Sequence, residues 1–98
     1  MRAERRESAH EQLLSTRLYI GSAERCFGDV TLGEARARAE ELRAAVGWGP
    51  TARVAPVARA WRELAIAMER ERVPAVRELS EQELMALAPR LWVVLPGG

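Results

Sequence analysis

The 98-residue chain has room for one domain with one small core, because a chain of this length buries about two-thirds of its unfolded surface. Hydrophobic residues make up 48% and charged residues 30%, a balance that excludes an intrinsically disordered chain. Its 15 basic and 14 acidic side chains leave a net charge of +1, so no strong field draws the chain to nucleic acid or to an anionic membrane.

Hydropathy and the number of cysteines further limit the class of protein to which the chain can belong. No apolar stretch approaches the roughly 20 residues of a membrane-spanning helix, and the charged start MRAERRESAHE is unlike a signal peptide, so we expect a cytoplasmic protein. Cys26 is the only cysteine, which excludes an internal disulfide and a thiolate metal site. Every basic residue is arginine, a bias that the composition of a GC-rich bacterial genome explains better than arginine-based recognition does.

A first helix is predicted over residues 8–27, after a frayed segment 1–7. Ser8 and Glu11 have the spacing of a capping box, and Gly28 is placed to end the helix in a left-handed conformation. Gly21 lies inside this segment and indicates either a close helix contact or a break between two shorter helices. The apolar side is formed by residues that recur every three or four positions: Ala9, Leu13, Thr16, Ile20, Ala23 and Phe27.

Two longer helices follow. A capping box of Thr31 and Glu34 opens the second helix, predicted over 32–46, and the segment GWGPT predicts a turn after it. The third helix is predicted from 51, or from about 55 if Pro56 sits in its first turn, to the residues before Pro74. Its apolar stripe consists of Val54, Val57, Trp61, Leu64 and Met68.

The C-terminal part predicts a short fourth helix and an apolar tail. Ser80 and Glu83 form a capping box for a helix over 81–88, which Pro89 ends. Residues 90–98 then predict an extended tail, rich in β-forming residues, in which alternate side chains point to opposite sides. In that geometry Leu91 covers the protein's own core, whereas Trp92 and Val94 stay available to a partner.

The predicted fold is all-α: an antiparallel three-helix bundle with a short fourth helix and an extended apolar C-terminal tail. Short links between consecutive helices favour the antiparallel arrangement. The whole chain, residues 1–98, is expected to form this single helical domain.

The leading functional hypothesis is a non-catalytic protein-interaction module, a small regulatory or accessory protein that also forms a homodimer. Neither the single histidine, His10, nor Cys26 has the neighbours that metal or nucleophilic chemistry requires, so we expect no catalytic residue, no metal and no cofactor. The residues predicted to bind a partner are Trp48 in a turn and Trp92 and Val94 in the tail.

Two alternatives belong to other classes. One is a small helical enzyme or enzyme subunit that binds an anionic metabolite between the second and third helices, through Arg36, Arg43, Arg59 and Arg62. The other is a DNA-binding regulator. A helix-turn-helix centred on Gly47 would place Arg53 and Pro56 at positions that normally pack inside, so nucleic acid is the least favoured partner.

Overall fold

The computed structural model describes residues 8–45 and 54–92, which are mostly helical and include a small two-stranded sheet. The predicted all-α class therefore agrees with the structure only roughly, and the three-helix bundle is not confirmed. In chain order the elements are α1 (Ala9–Leu14), β1 (Arg17–Ile20), β2 (Ala23–Cys26), α2 (Leu32–Ala45), α3 (Val54–Glu71) and α4 (Glu81–Leu87). Single 3₁₀ turns lie at Phe27–Asp29, Val76–Glu78 and Ala88–Arg90.

The prediction of one helix over residues 8–27 is wrong. Helix α1 ends at Leu14, and a β-hairpin follows in which Arg17 pairs with Cys26 and Ile20 with Ala23. Gly21 has a φ of +62° in the two-residue turn between the strands, a conformation that glycine adopts without strain. It breaks the predicted helix, but into a hairpin rather than into two helices.

Gly28 is also not the left-handed residue that the sequence predicted. It lies in a 3₁₀ turn, and Gly21 is the glycine with positive φ in the described part of the chain. Glycine is needed at position 28 for space: an added Cβ atom would lie 3.1 Å from Leu14 Cβ and 3.0 Å from Arg77 Nη2. The turn after the hairpin can therefore press closely against α1.

Two glycine-to-alanine substitutions are expected to have opposite effects on stability. Gly28→Ala should lower the free energy of unfolding by about 1–2 kcal/mol, because Leu14 Cβ cannot retreat without moving α1. Gly33→Ala, in the first turn of α2, should raise it by about 0.5–1 kcal/mol, because a Cβ there meets only Thr31 Oγ1, at 4.0 Å. Urea denaturation measures both, and a stabilising effect of Gly28→Ala would contradict the close packing.

The other predicted helices form where their capping signals lie. Thr31 Oγ1 accepts from the Glu34 backbone N–H at 3.1 Å, and Glu34 Oε1 accepts from the Thr31 N–H at 3.1 Å, which completes the capping box of α2. At the end of α3, Arg72 adopts a φ of 58° and the Val73 N–H donates to the Met68 carbonyl, a Schellman motif. Ser80 caps α4 as predicted, accepting from the Glu83 N–H at 3.3 Å.

Helix α3 is the centre of the core. Its predicted apolar stripe is confirmed from Val57 onwards: Trp61, Leu64 and Met68 are fully buried, and Val57 is buried beside them. Val54, the first residue of the predicted stripe, is only half-buried. Around this stripe pack apolar side chains from the turns and from α4, including Phe27, Val30, Val76, Leu84 and Leu91. Arg36 near the start of α2 pairs with Glu69 near the end of α3, so the two helices run antiparallel.

The first residues of the predicted tail fold back onto this core. Leu91 has helical backbone angles (φ −85°, ψ −12°), so the chain is not extended there and the predicted alternation of Leu91 and Trp92 is wrong. The Leu91 carbonyl accepts a hydrogen bond of 2.9 Å from Trp61 Nε1. The Trp92 ring makes edge contacts with Phe27 at 5.5 Å and Trp61 at 6.2 Å between centroids. Residues 93–98 lie outside the described part of the chain.

Candidate functional site

A groove with a volume of about 860 Å³ runs between α2 and α3. On α3 it uses a different face from the one that carries the core residues Trp61, Leu64 and Met68. We call it the α2–α3 groove. It is lined by Arg36, Ala39, Glu40 and Arg43 of α2 and by Ala55, Ala58, Arg59, Arg62, Ala65, Ile66 and Glu69 of α3.

We call the apolar residues that line the groove its floor. They are alanines, of which Ala58 and Ala65 are buried, and one larger side chain, Ile66, which is 46% exposed. In the described residues, Ile66 and Tyr19 are the large hydrophobic side chains that remain exposed, and Tyr19 lies in the hairpin, away from the groove. Alanine side chains keep the helix backbones close to the surface, so another helix could approach within a short interaxial distance.

Charged side chains form the two rims. Arg36 pairs with Glu69 across one end of the groove. Arg43 donates from Nη2 to Glu40 Oε2 at 2.7 Å, and this hydrogen bonding holds the pKa of the Glu40 carboxyl below its usual value. With Arg59 and Arg62, the described part of the lining has four arginines and two glutamates, a net charge of +2.

The structure thus brings together all four arginines of the predicted ligand site. Arg36, Arg43, Arg59 and Arg62 line one groove between the second and third helices, where the hypothesis of an anionic ligand placed them. All four are exposed, with 56% of the Arg36 side chain and 69% of the Arg43 side chain open to solvent. Two of them already have carboxylate partners, so these side chains do not converge on one enclosed anion site. Ligand binding stays a prediction.

Of the residues predicted to bind a partner, Trp92 is the one that the described ranges include. Trp48 and Val94 lie outside residues 8–45 and 54–92. Trp92 is half-buried and contacts the protein's own core through Phe27 and Trp61. Its predicted partner contact is therefore limited to the part of the ring that remains exposed.

Cys26 and His10, whose residue types most often take part in catalysis or metal binding, each have a charged neighbour. Cys26 is half-buried, and its Sγ accepts from Arg17 Nη1 at 3.5 Å. His10 Nδ1 lies 3.9 Å from Glu81 Oε1, and its ring is mostly covered. Within residues 8–45 and 54–92, no three histidine, cysteine or acidic side chains are grouped closely enough to hold a metal ion.

The sequence reasoning missed Ile66 and the alanines of the floor. They form a second, weaker stripe on α3, at Ala55, Ala58, Arg62, Ala65 and Glu69, with Ile66 beside it. The spacing of three and four residues was visible in the sequence. Small side chains and interspersed arginines made this stripe look like a solvated face.

Comparisons with known protein families, with characterised proteins and with solved structures found no match to this chain. In the described ranges, none of the helices combines the length and the apolar character needed to span a membrane. The geometry of the α2–α3 groove is therefore the basis for proposing a function.

Proposed function

We propose that this chain is a non-catalytic protein-interaction module, a small regulatory or accessory protein that binds an α-helix of another protein in the α2–α3 groove. One observation carries the proposal: Ile66, a large hydrophobic side chain that is 46% exposed, lines the α2–α3 groove among charged side chains of both helices. Removing the exposed part of Ile66 from water is favourable at about 25 cal/mol per Å² of apolar surface. A large apolar side chain with charged residues around it is typical of a protein interface.

The shape of the groove favours a helix as its occupant. Two antiparallel helices present parallel ridges, and a third helix can lay its own ridge of side chains between them. From Ala55 to Glu69 the groove follows α3 for about 21 Å, which is about four helical turns. A helix from a partner would form a three-helix arrangement with α2 and α3, made from two chains. The sequence predicted such an arrangement within one chain.

An anionic small molecule is the second candidate ligand, in an enzyme or enzyme subunit. The observation in its favour is the common location of the four arginines along the groove. Their exposure and the carboxylates beside Arg36 and Arg43 count against it. Calorimetric titration with citrate and with inorganic phosphate distinguishes this candidate from the protein-interaction module. Only the anion-binding candidate predicts saturable binding that the double substitution Arg59→Ala and Arg62→Ala abolishes.

DNA binding is the third candidate, and the net charge of +1 gives it no support. An electrophoretic shift assay at low salt tests it. The absence of any shift would exclude it.

The proposed function predicts crosslinking from the groove and not from the hairpin. A photoreactive benzoylphenylalanine at position 40, where the glutamate side chain is 65% exposed on the α2 side of the groove, should crosslink in the native host to a defined helical segment of one protein, identified by mass spectrometry. The matched control is the same probe at Tyr19, which is 61% exposed. No crosslinked protein at position 40, or the same set of proteins at both positions, would contradict the proposal.

Self-association stays a separate proposal. The residues predicted to bind a partner include Trp92, which is not among the groove residues that the structure describes, and Trp48 and Val94, which lie outside the described ranges. Sedimentation of the purified chain tests it directly. A chain that stays monomeric at high concentration would remove the homodimer and leave the groove proposal standing.

A further inference from the structure

We infer that the helix bound in the α2–α3 groove is acidic at one end. This inference rests on the proposed function and specifies the partner's chemistry. Its evidence is the uneven distribution of charge along the groove.

The charge is concentrated in one half of the groove. At one end Arg36 and Glu69 neutralise each other. Because α2 and α3 are antiparallel, Arg43 near the end of α2 lies in the same half as Arg59 and Arg62 of α3. Glu40 pairs with Arg43, which leaves that half with the net charge of +2.

Arg59 and Arg62 carry that excess charge. Neither forms an ion pair with a carboxylate of residues 8–45 and 54–92. Arg59 acts only at longer range on Glu63, whose pKa is lowered mainly by its hydrogen bond from Arg90 and further by the nearby Arg59 charge. A bound helix with acidic side chains near Arg59 and Arg62 would balance both guanidinium groups.

The length of the groove adds a requirement on the ligand. The expected ligand is a helix of about four turns with apolar residues three or four apart that contact Ile66, and with acidic residues towards one end.

The same charges disfavour a second copy of this chain as the occupant. Two such grooves facing each other would bring together two surfaces that each carry +2. Like charges at an interface cost affinity and reduce the association rate. The expected partner is therefore a different, acidic protein, and a crosslink to a second copy of this chain would contradict the inference.

The experiment combines the position-40 crosslinking probe with charge reversal. With Arg59→Glu and Arg62→Glu in the same chain, crosslinking in the native host should fall about tenfold, because repulsion replaces attraction at two positions. The control, Arg59→Lys with Arg62→Lys, keeps both charges and should stay within about threefold of the parent. Circular dichroism checks that both variants fold, as expected for exposed positions.

A synthetic peptide that copies the crosslinked segment then gives the affinity by fluorescence anisotropy. Affinity for the parent chain should fall as NaCl rises from about 50 mM to about 300 mM, since rim charges are screened. An unchanged affinity of the glutamate variant, a segment without acidic residues, or a crosslink to a second copy would overturn the inference while leaving a binding groove in place. No crosslinked protein in the parent would overturn the proposed function and the inference together.

Discussion

Replacing Trp61 with alanine is expected to lower the free energy of unfolding by about 3–5 kcal/mol, a large share of the 5–15 kcal/mol typical of a small domain. Trp61 is fully buried, and its ring lies 5.8 Å from the ring of Phe27 and 6.2 Å from that of Trp92. The Arg38 guanidinium also stacks over the ring, 5.7 Å from its centroid. The truncation leaves a cavity at the contact of α2, α3, the hairpin and the last described turn.

Two further variants separate the parts of this effect. Trp61→Phe retains a buried ring but leaves the Leu91 carbonyl without its N–H donor, so it should cost about 1–3 kcal/mol. Trp92→Ala should cost less than Trp61→Ala, because Trp92 is only half-buried. Urea denaturation with unchanged m-values measures all three. A loss from Trp92→Ala as large as that from Trp61→Ala would show that the core is centred elsewhere.

The helices that the sequence predicted well are those whose start and stop signals are local. Thr31 with Glu34 and Ser80 with Glu83 form hydrogen bonds within one turn, and Pro74 restricts the backbone of Val73, the residue before it. The part of the predicted helix over residues 15–27 is wrong because the apolar residues of this segment fit two periods, that of a helix and that of a strand. Leu18 and Ile20 also alternate with exposed Arg17 and Tyr19, as a half-buried strand requires.

The candidate site also has one part that could be predicted from the sequence and one part that could not. The four arginines could be placed between α2 and α3 because the spacings 36 to 43 and 59 to 62 keep each pair on one helical face. The apolar floor was not predicted, because which face of α3 stays uncovered depends on where the hairpin and α4 pack. Contacts between distant parts of the chain decide this, and they leave Ile66 exposed while its neighbours Ala65 and Ala67 are buried.

The second large effect is expected on binding rather than on stability. Ile66→Glu should leave the free energy of unfolding within about 0.5 kcal/mol of the parent, because the side chain is 46% exposed and a solvated glutamate suits helix α3. In the complex, the same substitution removes the large apolar side chain of the groove and places a charge against the bound helix. A loss of about 100-fold or more in affinity is expected.

Tyr19→Glu is the matched control for this substitution. Tyr19 is 61% exposed, so the change also replaces an exposed hydrophobic side chain with a carboxylate. It lies in β1, outside the α2–α3 groove. Its effect on partner affinity should stay within about threefold.

The most direct test is the dissociation constant of the crosslinked partner, measured by calorimetry for the parent, Ile66→Glu and Tyr19→Glu. Binding of a helix in the α2–α3 groove predicts about 100-fold weaker binding for Ile66→Glu and nearly unchanged binding for Tyr19→Glu, with all three chains equally folded. Equal affinities of the parent and the Ile66→Glu chain, or a larger loss for Tyr19→Glu, would show that the partner binds somewhere else on the protein.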